Sequence, residues 1–90
     1  MHAYRDFTTN NMYFLNLSDF VHDLHAMNKH YVPIIDAGIA MRQKGRYVAY
    51  DLGVEDDVFI KVNGETLVGQ VWPNDAAYPD WFNPKTTKWW

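Results

Sequence analysis

An uninterrupted apolar run at residues 31–35, YVPII, constrains the fold of this chain more than any other stretch. The run is apolar on both faces, which is typical of a strand covered on both sides in a parallel sheet. A segment with helical spacing precedes it: over residues 18–28 the apolar positions share one stripe, and Ser18 is a favourable N-cap. Because a helix followed by a buried strand is half of a repeating β/α unit, the pattern predicts an α/β fold with a parallel sheet.

The segments on either side of this unit predict smaller elements. Residues 1–16 have no apolar period and are predicted to form a loop, and a short helical turn is predicted at residues 51–56. Two alternating runs flank an Asn-Gly pair, the strongest short-range hairpin signal, so a β-hairpin is predicted over residues 58–72. Asn83 and Pro84 form a helix start, because Asn caps free N–H groups and Pro is tolerated at the first helical position.

Composition excludes several classes of function. The chain has 8 basic and 11 acidic residues, a net charge of -3, and no basic run that could follow a phosphate backbone, so nucleic acid is not an expected partner. It contains no Cys, which excludes a disulfide scaffold and a thiolate metal site. No apolar run is long enough to span a membrane. The chain has no glycine-rich phosphate loop and no nucleophile motif, and no cofactor is expected.

Two clusters of polar side chains invite a metal or acid–base interpretation, and a solvated surface explains both more simply. His22 and His25 share a helix face, but the apolar stripe turns that face toward solvent and no further ligands complete a closed site. The second cluster comprises Asp51, Glu55, Asp56 and Asp57. It lacks the alternating oxygen ligands and the glycine of a calcium loop. No metal site is therefore expected.

Asp36 and Trp72 are the side chains whose positions indicate a binding site. Asp36 directly follows the apolar run, and parallel α/β folds place functional groups at the carboxyl ends of their strands. The alternative is that Asp36 caps a loop or pairs with an arginine. Pro73 restricts Trp72 to an extended conformation at a strand end, where the indole offers an apolar face to a substrate ring. Packing in the core is the alternative for this indole.

The last two residues, Trp89 and Trp90, follow the predicted helix start by little more than one turn. A helix this short does not persist alone, and large indoles need a surface to cover them. Aromatic residues make up 17% of the chain, so that many other rings also need neighbours. We therefore expect this ending to be a cut in a longer chain.

Four segments, taken in order, resemble glycoside hydrolase family 31, the α-glucosidase group: YRDFT, YVPIIDAGI, YDLGVEDDVFIKVNGETLVGQVWP and AYPDWFNPKTTKWW. Their order and spacing match over essentially all 90 residues. The resemblance implies an α/β fold, a partial (β/α)8 TIM barrel with a β-hairpin excursion, in which residues 1–90 are a fragment of the catalytic domain. It also implies an oligosaccharide or α-glucoside substrate, and retaining hydrolysis by two carboxyls about 5 Å apart.

The resemblance also assigns roles to individual residues. Ile34 and Asp36 resemble the sugar-contacting pair on the family's third barrel strand, and Trp72 resembles the Trp-Pro residue that lines the same subsite. Asp36 is then expected to accept hydrogen bonds from sugar hydroxyls, while the other two side chains form apolar walls. The family usually has Pro in place of Ala37 and Gly in place of Asn74, so the adjoining loops are expected to differ. The nucleophile, an Asp in an Asp-Met-Asn-Glu stretch, and the general acid match no residue here, so no catalytic residue is expected in this chain.

Two other interpretations are open at the level of sequence. A small, independent carbohydrate- or protein-binding module without catalysis could be built on the Trp-rich hairpin. A purely structural piece could use its exposed apolar surface as an interface. The family resemblance favours the secretory pathway, the lysosome or the cell exterior as the compartment, whereas the linkage that is cleaved is left open.

Overall fold

The computed structural model describes all residues from Met1 to Trp90 and contains three helices and five short strands. The helices are α1 (Leu17–Ala26), α2 (Val48–Glu55) and α3 (Pro84–Trp89). The strands are β1 (Ile39–Ala40), β2 (Lys61–Val62), β3 (Glu65–Thr66), β4 (Gly69–Val71) and β5 (Asn74–Ala77). All pairings are antiparallel and form a three-stranded sheet, in the order β1-β5-β4, and a separate β2-β3 ribbon.

The predicted buried strand at residues 31–35 is wrong in this structure. The segment forms no backbone hydrogen bond, and its side chains are exposed, Val32 by 85% and Ile34 by 86%. A parallel strand is stable only between neighbouring strands, and no strand of this chain pairs with the segment. The sheet is consequently antiparallel, the fold is a small mixed α/β structure, and the strands do not close into a barrel.

Helix α1 confirms the helix predicted after the first loop, with its ends shifted by one or two residues. Asn16, not Ser18, occupies the N-cap position, and its side chain makes no capping hydrogen bond. None of the helical residues is buried, and His22 and His25 are exposed as predicted. Residues 1–16 form turns, in agreement with the predicted loop. Helix α1 therefore contributes no side chain to the core.

The Asn-Gly pair forms the predicted turn, but the hairpin over residues 58–72 is wrong in its extent. β2 and β3 pair across Asn63 and Gly64, whose φ angles are 54° and 83°. Positive φ at both central residues is what a two-residue type I′ hairpin requires. Beyond β3 the chain leaves this ribbon, and β4 pairs instead with β5 across Trp72 and Pro73. The predicted hairpin is thus replaced by two shorter ones.

The core lies between α2, the three-stranded sheet and the segment that follows α2. Its buried apolar residues are Ile39, Ala40, Tyr47, Val58, Phe59 and Ala77. The ring of Phe59 stacks on Tyr50 with centroids 5.6 Å apart and meets Trp89 edge-on at 5.5 Å. Aromatic pairs of this kind contribute about 0.5–1.5 kcal/mol beyond the area they bury. These three rings thus cover one another within the chain.

Helix α2 confirms the helical turn predicted at residues 51–56 and extends it by one turn toward the N-terminus. The helix approaches the core closely at Gly53, which is buried. A Cβ added there would lie 2.4 Å from Cζ of Phe59, closer than carbon atoms pack. The absence of a side chain at Gly53 is therefore what allows α2 to pack on Phe59.

Helix α3 begins at the predicted Asn-Pro pair. The side chain of Asn83 accepts a hydrogen bond from the Lys85 amide at 3.0 Å and donates one to the carbonyl of Asp57 at 2.9 Å. Trp89 is half-buried and donates from Nε1 to the carbonyl of Ala49 at 3.1 Å. The expectation that the closing indoles lack a covering surface is wrong for Trp89, because the core of this chain covers it.

Candidate functional site

The three site residues predicted from the sequence line one open cavity of about 560 Å³. These residues are Ile34, Asp36 and Trp72. The lining is completed by Met1, Tyr31, Val32 and Pro33. The cavity is thus mainly apolar, with a single carboxylate in its wall, and it joins the segment before β1 to the connection between β4 and β5.

Asp36 is half-buried and caps the loop that follows it. Its Oδ1 accepts a hydrogen bond from the Gly38 amide at 3.0 Å, the pattern of an Asx turn. Its Oδ2 accepts no hydrogen bond within the chain, and Asp36 forms no ion pair, since the one ion pair joins Lys61 to Asp57. Loop capping is therefore confirmed and arginine pairing is wrong. One carboxylate oxygen fixes the loop, and the other is available to a ligand.

Trp72 is 72% exposed, so its interpretation as a core residue is wrong. It lies beside Pro73 in the two-residue connection between β4 and β5. Its indole meets the ring of Tyr4 edge-on, with centroids 5.7 Å apart and an interplanar angle of 79°. This contact supports the indole on one side and leaves most of its surface open to solvent. Ile34 is likewise exposed at the cavity.

Sequence reasoning does not identify Asp6, which the structure places directly against Asp36. The Asp6 side chain is 3% exposed, and its Oδ2 accepts a hydrogen bond from the Asp36 amide at 3.1 Å. Its Oδ1 is buried and has no hydrogen-bond partner. Burial raises the pKa of the Asp6 carboxyl above its ordinary value; the hydrogen bond from Asp36 opposes this rise, and the negative charge of Asp36 adds to it.

Tyr47 fixes Asp6 from the other side. The phenol is buried, and its OH donates to the main-chain carbonyl of Asp6 at 2.9 Å. Burial, followed by the negative charge of Asp6, raises the pKa of Tyr47 to about 12. The neutral phenol is therefore the form that the folded chain stabilises, and it connects α2 to the site.

Other titratable side chains are dispersed over the surface. No three or more of the His, Asp and Glu side chains are arranged so that they could hold a metal ion. None of the helices combines the length and apolar character that a membrane crossing requires. The cavity at Asp36 is the candidate site because Ile34, Asp36 and Trp72 all line it.

Comparisons with known proteins match the whole chain. The glycosyl hydrolases family 31 TIM-barrel domain model matches residues 1–90. Lysosomal alpha-glucosidase of Rattus norvegicus is 42% identical over 92 residues, covering 100% of this chain and 10% of the rat protein. Alpha-glucosidase 2 of Bacillus thermoamyloliquefaciens is 38% identical over 91 residues, covering 100% of this chain and 11% of the bacterial protein. Intestinal sucrase-isomaltase of Suncus murinus is 40% identical over 91 residues, covering 96% of this chain and 5% of the Suncus protein.

These matches agree with the resemblance carried by the four sequence segments. The chain spans about 10% of the length of the curated alpha-glucosidases that it matches. The match to the family model extends from the first residue to the last, and identities near 40% extend over essentially the same range. The chain therefore belongs to glycosyl hydrolases family 31.

Proposed function

We propose that this chain forms part of the catalytic (β/α)8 barrel of a retaining α-glucosidase and supplies one wall of its substrate site. The observation that carries the proposal is the cavity shared by Ile34, Asp36 and Trp72, in which Asp36 Oδ2 has no partner within the chain. The names of the relatives support an α-glucoside as the substrate class.

The exposed segment at residues 31–35 supports the assignment to a barrel. It is apolar throughout and makes no hydrogen bond, although backbone groups and apolar side chains are normally covered. A barrel strand has a neighbour on each edge, side chains in the barrel interior on one face and helices on the other. Asp36, which follows this segment, would then lie at the carboxyl end of a strand, where TIM-barrel enzymes carry their active sites.

Each of the three side chains has a role that follows from its chemistry. Asp36 Oδ2 accepts a hydrogen bond from a sugar hydroxyl, a charge-assisted bond that contributes about 1.5–3 kcal/mol. The indole of Trp72 stacks on the apolar face of the sugar ring, and Ile34 forms a second apolar wall. Retaining hydrolysis needs a nucleophile and an acid/base carboxyl about 5 Å apart. We assign both to parts of the barrel outside residues 1–90, so the 90-residue chain alone is expected not to hydrolyse aryl α-glucosides.

A chimera tests this proposal. Residues 1–90 replace the matching 92-residue segment of the rat lysosomal alpha-glucosidase, and hydrolysis of an aryl α-glucoside is measured. In the active chimera, Asp36→Ala is expected to lower kcat/KM at least tenfold, since about 1.4 kcal/mol of lost transition-state stabilisation is one factor of ten. Trp72→Ala is expected to lower kcat/KM through lost stacking. Asp23→Ala is the matched control, because Asp23 is a charged residue that is exposed and lies outside the cavity lining.

The melting temperature separates a binding role from a purely structural one. If Asp36 contacts the substrate, Asp36→Ala changes kcat/KM while the melting temperature of the chimera moves little. The opposite result, unchanged kinetics with a lower melting temperature, would show that Asp36 only caps its loop. In that case the assignment of the cavity to substrate is wrong.

A second candidate function is a carbohydrate-binding module without catalysis. It is favoured by one observation, namely that residues of this chain alone form the cavity. A cooperative thermal transition of the 90-residue chain, together with maltose-dependent NMR shifts of the Trp72 indole, would support the module. A chain that binds no maltose alone but supports hydrolysis in the chimera would favour the barrel.

A further inference from the structure

The main chain around Asp36 is held by very few contacts. From residue 30 to residue 37, only two hydrogen bonds are present: the Asp36 amide donates to Asp6 Oδ2 at 3.1 Å, and the Gly38 amide donates to Asp36 Oδ1 at 3.0 Å. The second bond is local and joins Asp36 to its own loop. The bond to Asp6 is therefore the only hydrogen bond that ties this segment to a distant part of the chain.

Asp6 is itself rigidly placed. Its side chain is 3% exposed, and its carbonyl accepts a hydrogen bond from the buried phenol of Tyr47 at 2.9 Å. The neighbouring Arg5 donates from Nη1 to the carbonyl of Arg46 at 3.0 Å. Both contacts fasten the Asp6 backbone to the start of α2, 41 residues along the chain. Asp6 consequently links Asp36 to the core.

We propose that Asp6 is a positioning residue for Asp36, which it anchors at the cavity through the Asp36 amide. The importance of this anchor for substrate rests on the proposed function, whereas the anchoring itself does not. Asp6 makes no contact with the cavity and lies outside its lining. Its role is therefore to fix the carboxylate of Asp36 in place and not to contact the sugar.

The surroundings of Asp6 disfavour its negative charge. Its Oδ1 is buried without a partner, and a charged carboxylate in that position costs far more free energy than a neutral carboxyl. The charged groups that act on Asp6 are the Asp36 carboxylate and the N-terminal ammonium, and Tyr47, near Arg5 and Arg42, contacts its carbonyl. Burial raises the pKa of Asp6, in agreement with this geometry.

Ionisation of Asp6 places a second negative charge beside Asp36 and leaves the buried Oδ1 charged without a partner. The hydrogen bond from the Asp36 amide opposes this cost, because it favours the ionised carboxylate. The anchor is therefore kept in both protonation states, and ionisation of Asp6 changes the electrostatic environment of the Asp36 amide.

An NMR titration of the 90-residue chain tests the proposal without any sugar. The side-chain carboxyl carbons and the Asp36 amide are followed as the pH is raised. The Asp6 carboxyl is expected to titrate above its ordinary value of 3.8, and the Asp36 amide to shift with the same midpoint. In Asp6→Asn the amide keeps its acceptor, so its slow hydrogen exchange is retained while the titration step disappears. In Asp6→Leu both the titration step and the slow exchange of the Asp36 amide are lost. Asp23→Asn is the control: it lies on the exposed face of α1 and is expected to alter neither property.

Two results would overturn the proposal. One is an Asp6 carboxyl that titrates at its ordinary value, whether or not the chain is folded. The other is an Asp36 amide whose chemical shift does not change with the midpoint of Asp6. Since sugar is absent, either failure is distinct from a failure of the proposed function, which the chimera tests separately. In an active chimera, Asp6→Asn is expected to retain most of the kcat/KM that Asp6→Leu loses.

Discussion

The indole Nε1 of Trp89 donates a hydrogen bond to the carbonyl of Ala49 across 3.1 Å and so ties α3 to α2, 40 residues apart in the chain. The same indole meets Phe59 edge-on in the core. A six-residue helix does not persist alone, so this contact explains why α3 forms at the end of the chain.

Trp89→Ala is expected to lower the free energy of unfolding by about 2–3 kcal/mol, somewhat less than the ~3–5 kcal/mol of a fully buried aromatic residue. Each kcal/mol corresponds to a drop of about 4–8 °C in the melting temperature of a domain of this size. Urea and thermal denaturation followed by circular dichroism measure both quantities. Phe82→Ala is the control, because Phe82 is 99% exposed and its loss should cost under about 0.5 kcal/mol. Equal losses in the two variants would contradict the role of Trp89.

Gly53→Ala is expected to destabilise the chain by about 1–3 kcal/mol, although alanine normally stabilises a helix interior by about 0.5–1 kcal/mol relative to glycine. The new methyl group would lie 2.4 Å from Phe59, a buried ring held between Tyr50 and Trp89. Denaturation in urea gives the sign of the change in the free energy of unfolding directly. Gly45→Ala separates conformational strain from crowding, because Gly45 has a φ of +82° and nothing lies within 4 Å of its added Cβ. A more stable Gly53→Ala variant would show that α2 does not pack as described.

The raised pKa of Asp6 predicts a stability that falls as the pH rises. Between the ordinary value of 3.8 and the higher folded-state value, the folded chain binds more protons than the unfolded chain, so the free energy of unfolding decreases through this window. Asp6→Asn is expected to remove the decrease, as measured by urea unfolding at a series of pH values. Asp57 is a control of opposite sign. The hydrogen bond and charge of Lys61 lower the pKa of Asp57, so the contribution of Asp57 to stability is lost as the pH falls. The same slope in the wild-type chain and in Asp6→Asn would refute the assignment.

The buried phenol of Tyr47 predicts a second loss of stability at alkaline pH. Its pKa is raised from 10.0 to about 12, so the unfolded chain releases this proton first and stability falls as the pH rises above about 10. Tyr47→Phe is expected to abolish this component and to cost about 0.5–1.5 kcal/mol at neutral pH through the lost hydrogen bond to Asp6. Tyr13→Phe, at a residue that is 74% exposed, should change neither value. The measurement is urea denaturation at neutral and alkaline pH.

Elements whose signals are local could be predicted from the sequence. Asn63 and Gly64 adopt positive φ because of their own chemistry, and Asn83 caps α3 through its own side chain. The connection between β4 and β5 also had a local signal that the prediction did not use. Pro73 and Asn74 are both residues that favour turns, and Asn74 has a φ of 71° at the first residue of β5.

Features that depend on distant residues could not be predicted in the same way. The apolar run at residues 31–35 has the composition of a buried strand, but burial requires neighbouring strands that this chain does not place beside it. Asp6 stands in a polar loop between a charged and an aromatic residue, and nothing nearby in the sequence indicates that it is 3% exposed. Its burial depends on Asp36 and Tyr47, which lie 30 and 41 residues away.

The separation of α1 from the core also determines how the chain opens. The core is built from residues 39–89. The Tyr47 phenol donates a hydrogen bond to the Asp6 carbonyl, and Arg5 donates one to the Arg46 carbonyl, so the first few residues are fastened to the core. Helix α1 has no buried residue, so its amides exchange with solvent through local opening that leaves the core intact. The amides of α2 and β5 exchange only when the core itself opens. We therefore expect two cooperative units of unequal stability. We also expect a protease to cut first in the segment between Thr9 and Ile35.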